Sequence, residues 1–154
     1  MSDPARSDPA PSDPTRSDPA FSARVREFHH AFGLGVRDLP DPRPDTWRLR
    51  IALLREEFDE YVTAAEAGDL VEVADALADM VYVISGTACE YGIPLDDVLA
   101  EVHRSNMSKL GVDGRPVLRD DGKVLKGPAY SPPDVAAVLR TEALDRPPGS
   151  TSTG

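Results

Sequence analysis

Apolar residues recur three and four positions apart over most of the chain, the spacing that lines one face of a helix. A first short helix is expected from Ser22, a candidate N-cap, to about Phe32. The connector GLGVRDLPDPRP then breaks the pattern with proline, glycine and aspartate. A second helix should start near Asp45 and stop at Gly68, a residue type suited to a C-cap. Asp69 is placed to cap a third helix that runs to about Tyr91 and ends at Gly92. Pro94 opens a fourth helix reaching about Leu110. PVLR and KVLK flank Asp120-Asp121-Gly122, which predicts a small β-hairpin. A last short helix begins around Ser131-Pro-Pro-Asp134 and runs to about Leu144. With few strands and no βαβ alternation, the expected class is all-α.

The two ends read differently. Residues 2–21 are SDPAR-SDPAP-SDPTR-SDPAF, four copies of a five-residue unit. Each proline withholds an amide donor and disfavours helix before it, and almost nothing apolar precedes Phe21. Residues 1–20 are therefore expected to form a disordered leader, and 146–154 (RPPGSTSTG) a disordered tail. One domain is left, at 21–145.

Charge narrows the partners. Seventeen Lys+Arg against twenty-seven Asp+Glu leave a net charge of −10. Such a chain is unsuited to coating a nucleic-acid polymer, whose phosphates are met by cations. A single cysteine, Cys89, leaves no internal disulfide and agrees with a cytoplasmic setting. No run approaches the roughly 18 apolar residues of a membrane span, and the polar N-terminus lacks the apolar core of a secretory signal.

The helix faces carry the chemistry. At 100° per residue, Trp47, Ile51, Leu54, Phe58, Val62 and Ala65 form one apolar stripe on the second helix. Glu56, Glu57 and Glu60 share the other side with Leu49, Leu53, Ala64 and Ala67, so this helix is expected to be sandwiched in a bundle or a subunit interface. On the third helix, Asp75 and Asp79 are the only charged residues from Val73 to Cys89. A helix apolar nearly all round is expected to be buried, and Glu72, Asp75 and Asp79 fall in one narrow arc of it. Buried carboxylates are costly unless paired or bound to a cation.

No lysine or arginine stands between Arg55 and Arg104, an interval that holds thirteen acids. A divalent ion is the simplest compensation, and hard oxygen donors without cysteine favour Mg²⁺ or Mn²⁺ over Zn²⁺. A row of acids on a helix is more often a solvated face. Asp75 and Asp79 fit that reading poorly, because their neighbours on every side are apolar. From Arg104 to Lys126 the balance reverses, with six basic residues against three acids. Asn106 and Lys109, in SNMSK, suit a phosphate chain, although Lys109 also suits a helix C-terminus.

These residues resemble a known pattern. Glu56-Glu57-x-x-Glu60, followed by Glu72-x-x-Asp75, resembles the EExxE…ExxD signature of the MazG-like all-α nucleoside triphosphate pyrophosphohydrolases, a superfamily that includes phosphoribosyl-ATP pyrophosphohydrolase. The stretch ADALADMVYVISGTACEYGIPLDDVLAEVHRSNMSKLG, with DGRPVLRDDGKVLKGPAYSPPD after it, is most similar to the MazG-like branch with dUTPase-type members. The likeness covers about Phe21 to Val138. It implies a four-helix bundle-like core with a small C-terminal β-hairpin, a homodimer or homotetramer, and Mg²⁺-dependent cleavage of a nucleoside triphosphate to the monophosphate and pyrophosphate. By this likeness Glu56, Glu57, Glu60, Glu72, Asp75 and Asp79 hold metal; the motif's last acid could fall on Asp75 or, four residues on, Asp79, and Glu72 with Asp75 is the favoured motif pair, with Asp79 also in the site. Glu57 or Glu60 would accept the proton of the attacking water. Asn106, Lys109, Lys126 and Tyr130 would hold the triphosphate or sugar. Trp47 and Phe32 could stack on a base, but packing is the commoner role for such residues. His29, His30 and His103 read as surface or capping residues. Phosphoribosyl-ATP hydrolysis and a non-enzymatic acidic module that docks a basic protein are the alternatives.

Overall fold

A computed structural model describes residues 20–144, so the predicted tail and all of the predicted leader except Ala20 lie outside it. The order is α1 (Phe21–Ala31), α2 (Trp47–Ala67), α3 (Leu70–Tyr91), α4 (Leu95–Met107) and α5 (Val135–Leu144). No sheet occurs among the described residues. The hairpin expected around Asp120–Gly122 is a single antiparallel bridge, Leu118 to Val124, and this expectation is corrected.

The longest helices form an antiparallel pair because their junction is short and well capped. Gly68 ends α2 at φ +70°, and its N–H reaches the carbonyls near the end of the helix. Only a residue without Cβ takes that conformation at little cost. Asp69 follows at once and accepts from the N–H groups of Val71 (3.0 Å) and Glu72 (3.3 Å), capping α3. Two residues therefore reverse the chain, and α2 lies back along α3. Helix α1 crosses α3, with Val25 fully buried and Phe21 and Phe28 edge-on to Tyr82 at 5.8 and 5.4 Å. Ser22 is not the N-cap: α1 begins at Phe21, and the Ser22 hydroxyl donates to Asp96 on α4.

The centre of the pair holds polar groups. Arg50 and Glu90 are 6% and 4% exposed and form an ion pair at 3.4 Å. The Arg50 guanidinium also donates to Thr87 Oγ1 (3.0 Å) and to the Val83 carbonyl (2.7 Å). The Thr46 hydroxyl donates to the second Glu90 oxygen. His29 lies beside them, 2% exposed, its Nδ1–H donating to the Gly35 carbonyl at 2.9 Å. His29 is thus a core residue rather than the expected surface one, and Glu90 is neutralised from outside the cation-free interval.

The expected all-round burial of α3 is also corrected. Leu70, Leu77, Val81 and Ile84 are 78%, 46%, 50% and 43% exposed in the single chain, and Asp75 and Asp79 are exposed too. On α2, Ile51 and Phe58 of the apolar stripe are likewise open, while Arg50 and Ala64 are buried. The extensive helix pairings are α2 with α3, α1 with α3 and α4 with α5. One chain therefore does not close the four-helix core around α2 and α3 that was expected of α4.

Helix α5 is held on α4 by a polar clamp. Glu101 accepts from Arg104 Nε and Nη2 and from the Asp134 N–H, each at 2.7 Å. Ser105 donates to the Ser131 carbonyl at 2.9 Å. Arg104 foremost, then the Asp134 amide, holds the Glu101 carboxyl down from its ordinary 4.5 to about 2. A depressed folded-state value means the ionised form stabilises the clamp fully above the unfolded value, and that this is lost as pH falls through about 2. Pepsin cleavage within 135–144, referenced to a control peptide, should accelerate from pH 4.5 to pH 2. Glu101→Gln should be cut readily at both.

Candidate active site

The acids of α2 and α3 meet across the groove between these helices. Small residues set the floor: Ala64 and Ala76 are 7% and 3% exposed and let the helices approach closely. Above them is a cavity of about 610 Å³ lined by Glu56, Asp59, Glu60, Asp69, Glu72 and Asp75, with Thr63 and Ala67. Four of the six acids expected to bind metal, Glu56, Glu60, Glu72 and Asp75, thus line one cavity. Glu57 and Asp79 do not line it.

Glu57 records this crowding. It is half-buried, unlike the others. Burial first, then the charges of Asp79, Glu60, Glu56 and Asp75 in that order, push its carboxyl above the usual carboxylate value. Among the described residues, none of Glu56, Glu57, Glu60, Glu72, Asp75 and Asp79 has an ion-pair partner or accepts a side-chain hydrogen bond. The groove is therefore an uncompensated negative site.

The donor set suits a hard cation: carboxylate oxygens without cysteine or histidine. Its geometry is open. Among the described residues, no three of these groups converge as a ready-made metal cage. The helices bring the acids to one groove without closing them round a point.

Asn106, Lys109, Lys126 and Tyr130 form a second cluster, where α4 ends. The Lys109 ammonium donates to Asn106 Oδ1 at 2.6 Å, and the Gly127 N–H donates to the Lys109 carbonyl at 2.9 Å. Lys126 sits 4.3 Å from the centre of the Tyr130 ring. None of the four lines the acidic cavity. The predicted phosphate-binding residues therefore share a locality with one another and not with the acids. Trp47 has Arg48 and Arg43 over its ring, at 4.6 and 5.0 Å from its centre. Phe32 packs on Phe28 at 4.3 Å.

Asp59 and Asp69 line the cavity without having been singled out. The signal for Asp59 was its place three residues after Glu56, on the face of Glu60. Asp69 was read only as the cap of α3, which it also is.

The helical hairpin and its carboxylate-lined groove belong to an all-α protein. The family model for phosphoribosyl-ATP pyrophosphohydrolase matches residues 25–106, just over half of the chain, and the chain belongs to that family, within the MazG-like superfamily. It is similar to an uncharacterized protein of Acanthamoeba polyphaga mimivirus, 36% identical over 77 residues that make up 47% of this chain and 31% of that one. The chain thus spans about a third of the length of the curated relative it matches. A crystal structure of a candidate NTP pyrophosphohydrolase from Exiguobacterium sp. 255-15 is 25% identical, with 80% of this chain and 94% of that one covered and a TM-score of 0.44.

Like charges facing each other should cost stability when no ion is present. Glu57→Gln removes the most crowded of them. The metal-free variant should melt above the parent in scanning calorimetry, and added Mg²⁺ should raise its midpoint less than the parent's.

Proposed function

We propose that the chain is a Mg²⁺-dependent nucleoside triphosphate pyrophosphohydrolase, releasing a nucleoside monophosphate and pyrophosphate. The observation that carries this reading is the groove of six acids with no cation of its own, in a chain of a nucleotide pyrophosphohydrolase family. Glu56, Glu57, Glu60, Glu72, Asp75 and Asp79 would hold Mg²⁺ or Mn²⁺, which when bound supplies charge neutralisation for the phosphates and activation of water. Asp59 and Asp69 stand at the same groove as further oxygen donors.

The chain's own part is proton transfer and orientation. Water adds to a phosphorus beside the α–β bridge, that P–O bond breaks, and pyrophosphate leaves. Glu57 is the first choice to accept the water's proton. Its half-buried place among neighbouring carboxylates keeps it beside the water to be activated, and Glu60 is the alternative. Asn106, Lys109, Lys126 and Tyr130 would bind the triphosphate or sugar. Since they lie away from the groove in one chain, that role requires them to come to it in an assembly or on closure.

A homodimer or homotetramer belongs to this proposal. Leu77, Val81 and Ile84 are about half exposed on one arc of α3, and a free chain gains by covering them. Light scattering should give a dimer or tetramer mass, and Val81→Glu should shift it toward the monomer. No helix among the described residues is long and apolar enough to cross a membrane.

The decisive experiment is a panel of deoxy- and ribonucleoside triphosphates with Mg²⁺, read as pyrophosphate. At least one should turn over, and Glu57→Gln and Asp79→Asn should each lose at least about 100-fold, the scale of losing a general base. Phosphoribosyl-ATP belongs in the panel, since the matched family model bears its name; its preference over every nucleotide would replace the nucleoside triphosphate reading. The exposure of Asp75 and Asp79 favours one rival, docking of a basic protein. No turnover and no change of melting temperature with Mg²⁺ would leave that rival standing.

A further inference from the structure

Asp69 stands where two tasks meet. It caps α3, and it lines the acidic cavity at the end where α2 turns into α3. The α2 wall of the cavity runs from Glu56 to Ala67, about 16 Å of helix. Glu56 and Glu60 hold one end of that wall, and Asp69 follows its other end by two residues.

The cap occupies one carboxylate oxygen. The N–H groups of Val71 and Glu72 both donate to Asp69 Oδ1, at 3.0 and 3.3 Å. Oδ2 accepts no hydrogen bond and meets no cation among the described residues. A capping box would account for both acids here without a ligand. Asp69-x-x-Glu72 has the spacing, in which the side chain three residues into the helix reaches back to the N–H of the cap. That N–H is already taken. It donates to the Ala64 carbonyl at 3.0 Å, closing the end of α2. Glu72 makes no return bond, and its carboxylate stays exposed at the cavity. The tight turn at Gly68 thus leaves Oδ2 of Asp69 and the whole Glu72 carboxylate unused by the fold.

We propose that the Asp69 carboxylate is divided between two tasks: Oδ1 orders the first turn of α3, and Oδ2 joins Glu72 in holding the divalent cation of the groove. The two tasks are coupled, because the Glu72 N–H is one of the groups that Oδ1 accepts from. Fixing the carboxylate fixes the backbone that carries Glu72, and by linkage an ion held by both acids steadies the turn. This inference rests on the reading of the groove as a metal site.

Asparagine caps a helix about as well as aspartate, so Asp69→Asn keeps the cap and removes the charge. Asp69→Ala removes both. In the full chain without metal, Asp69→Asn should melt no lower than the parent, and Asp69→Ala should melt lower. Mn²⁺ affinity, read by electron paramagnetic resonance, should fall at least about tenfold in each, since the count of charged ligands sets affinity for such ions. Compared at equal Mg²⁺ occupancy, hydrogen exchange of the Val71 and Glu72 amides should slow in the parent and not in Asp69→Asn. Glu66 is an exposed acid of α2 that does not line the cavity, so Glu66→Gln controls for net charge and should change Mn²⁺ affinity less than about twofold. Parental Mn²⁺ affinity in Asp69→Asn, or an equal loss in Glu66→Gln, overturns the inference and leaves the metal reading in place. Absence of Mn²⁺ binding in the parent overturns both.

Discussion

Repulsion between α2 and α3 is the constraint to which the rest of the molecule answers. Two antiparallel helices carry carboxylates toward each other, and no lysine or arginine from either helix meets these acids. At the other end of the pair Arg50 and Glu90 are buried with Thr46, Thr87 and the Val83 carbonyl. A buried ion pair adds little net stability over an apolar filling, because desolvation consumes most of its attraction. Each of its members is nonetheless hydrogen-bonded in this fold. The apolar and small contacts hold the helices together, and the two-residue junction at Gly68 and Asp69 sets their alignment.

The connector before α2 belongs to the same device. Gly35 lies against Glu90, where an added Cβ would stand 3.3 Å from its Cγ. The Arg37 N–H donates to the Cys89 carbonyl and the Asp41 N–H to the Tyr91 carbonyl, both at 2.9 Å. Gly92 has φ +65° and passes so close to Leu39 that a Cβ would meet its carbonyl oxygen at 2.2 Å. This segment closes the end of the pair over its charges, keeping water from Arg50 and Glu90. The acidic end has no such cover and stays open as a groove.

The helices were legible in the sequence because their stop signals are local. Gly68, Asp69 and Gly92 fix chain conformation through their own backbone and side chain, and all three act as predicted. Gathering of Glu56, Glu60, Glu72 and Asp75 was legible too, since a two-residue turn forces neighbouring helices to be antiparallel. Burial was not. An apolar run says that a face must be covered, not that this chain covers it, and α3 keeps Leu77 and Val81 half open. The Arg50–Glu90 pair was missed because its members are forty residues apart and a count of nearby cations does not see across helices. His29 gave no sign of burial, because a neighbouring pair of histidines at a helix end is usually solvated. The hairpin failed for a different reason: the turn at Asp120–Gly122 formed, but its short flanks carry only one bridge.

The α2–α3 pair has two unlike sides, and that division bears on how an assembly could form. On α3 the arc of Leu70, Leu77, Val81 and Ile84 lies roughly 180° from the arc of Glu72, Asp75 and Asp79. With a net charge of −10, two copies meeting through their grooves would set like charges against each other at close range. Meeting through the apolar arcs would bury hydrocarbon and leave the grooves facing away. The apolar positions that made α3 look fully buried thus lie on one side of the helix and its acids on the other, so covering the first would leave the second open.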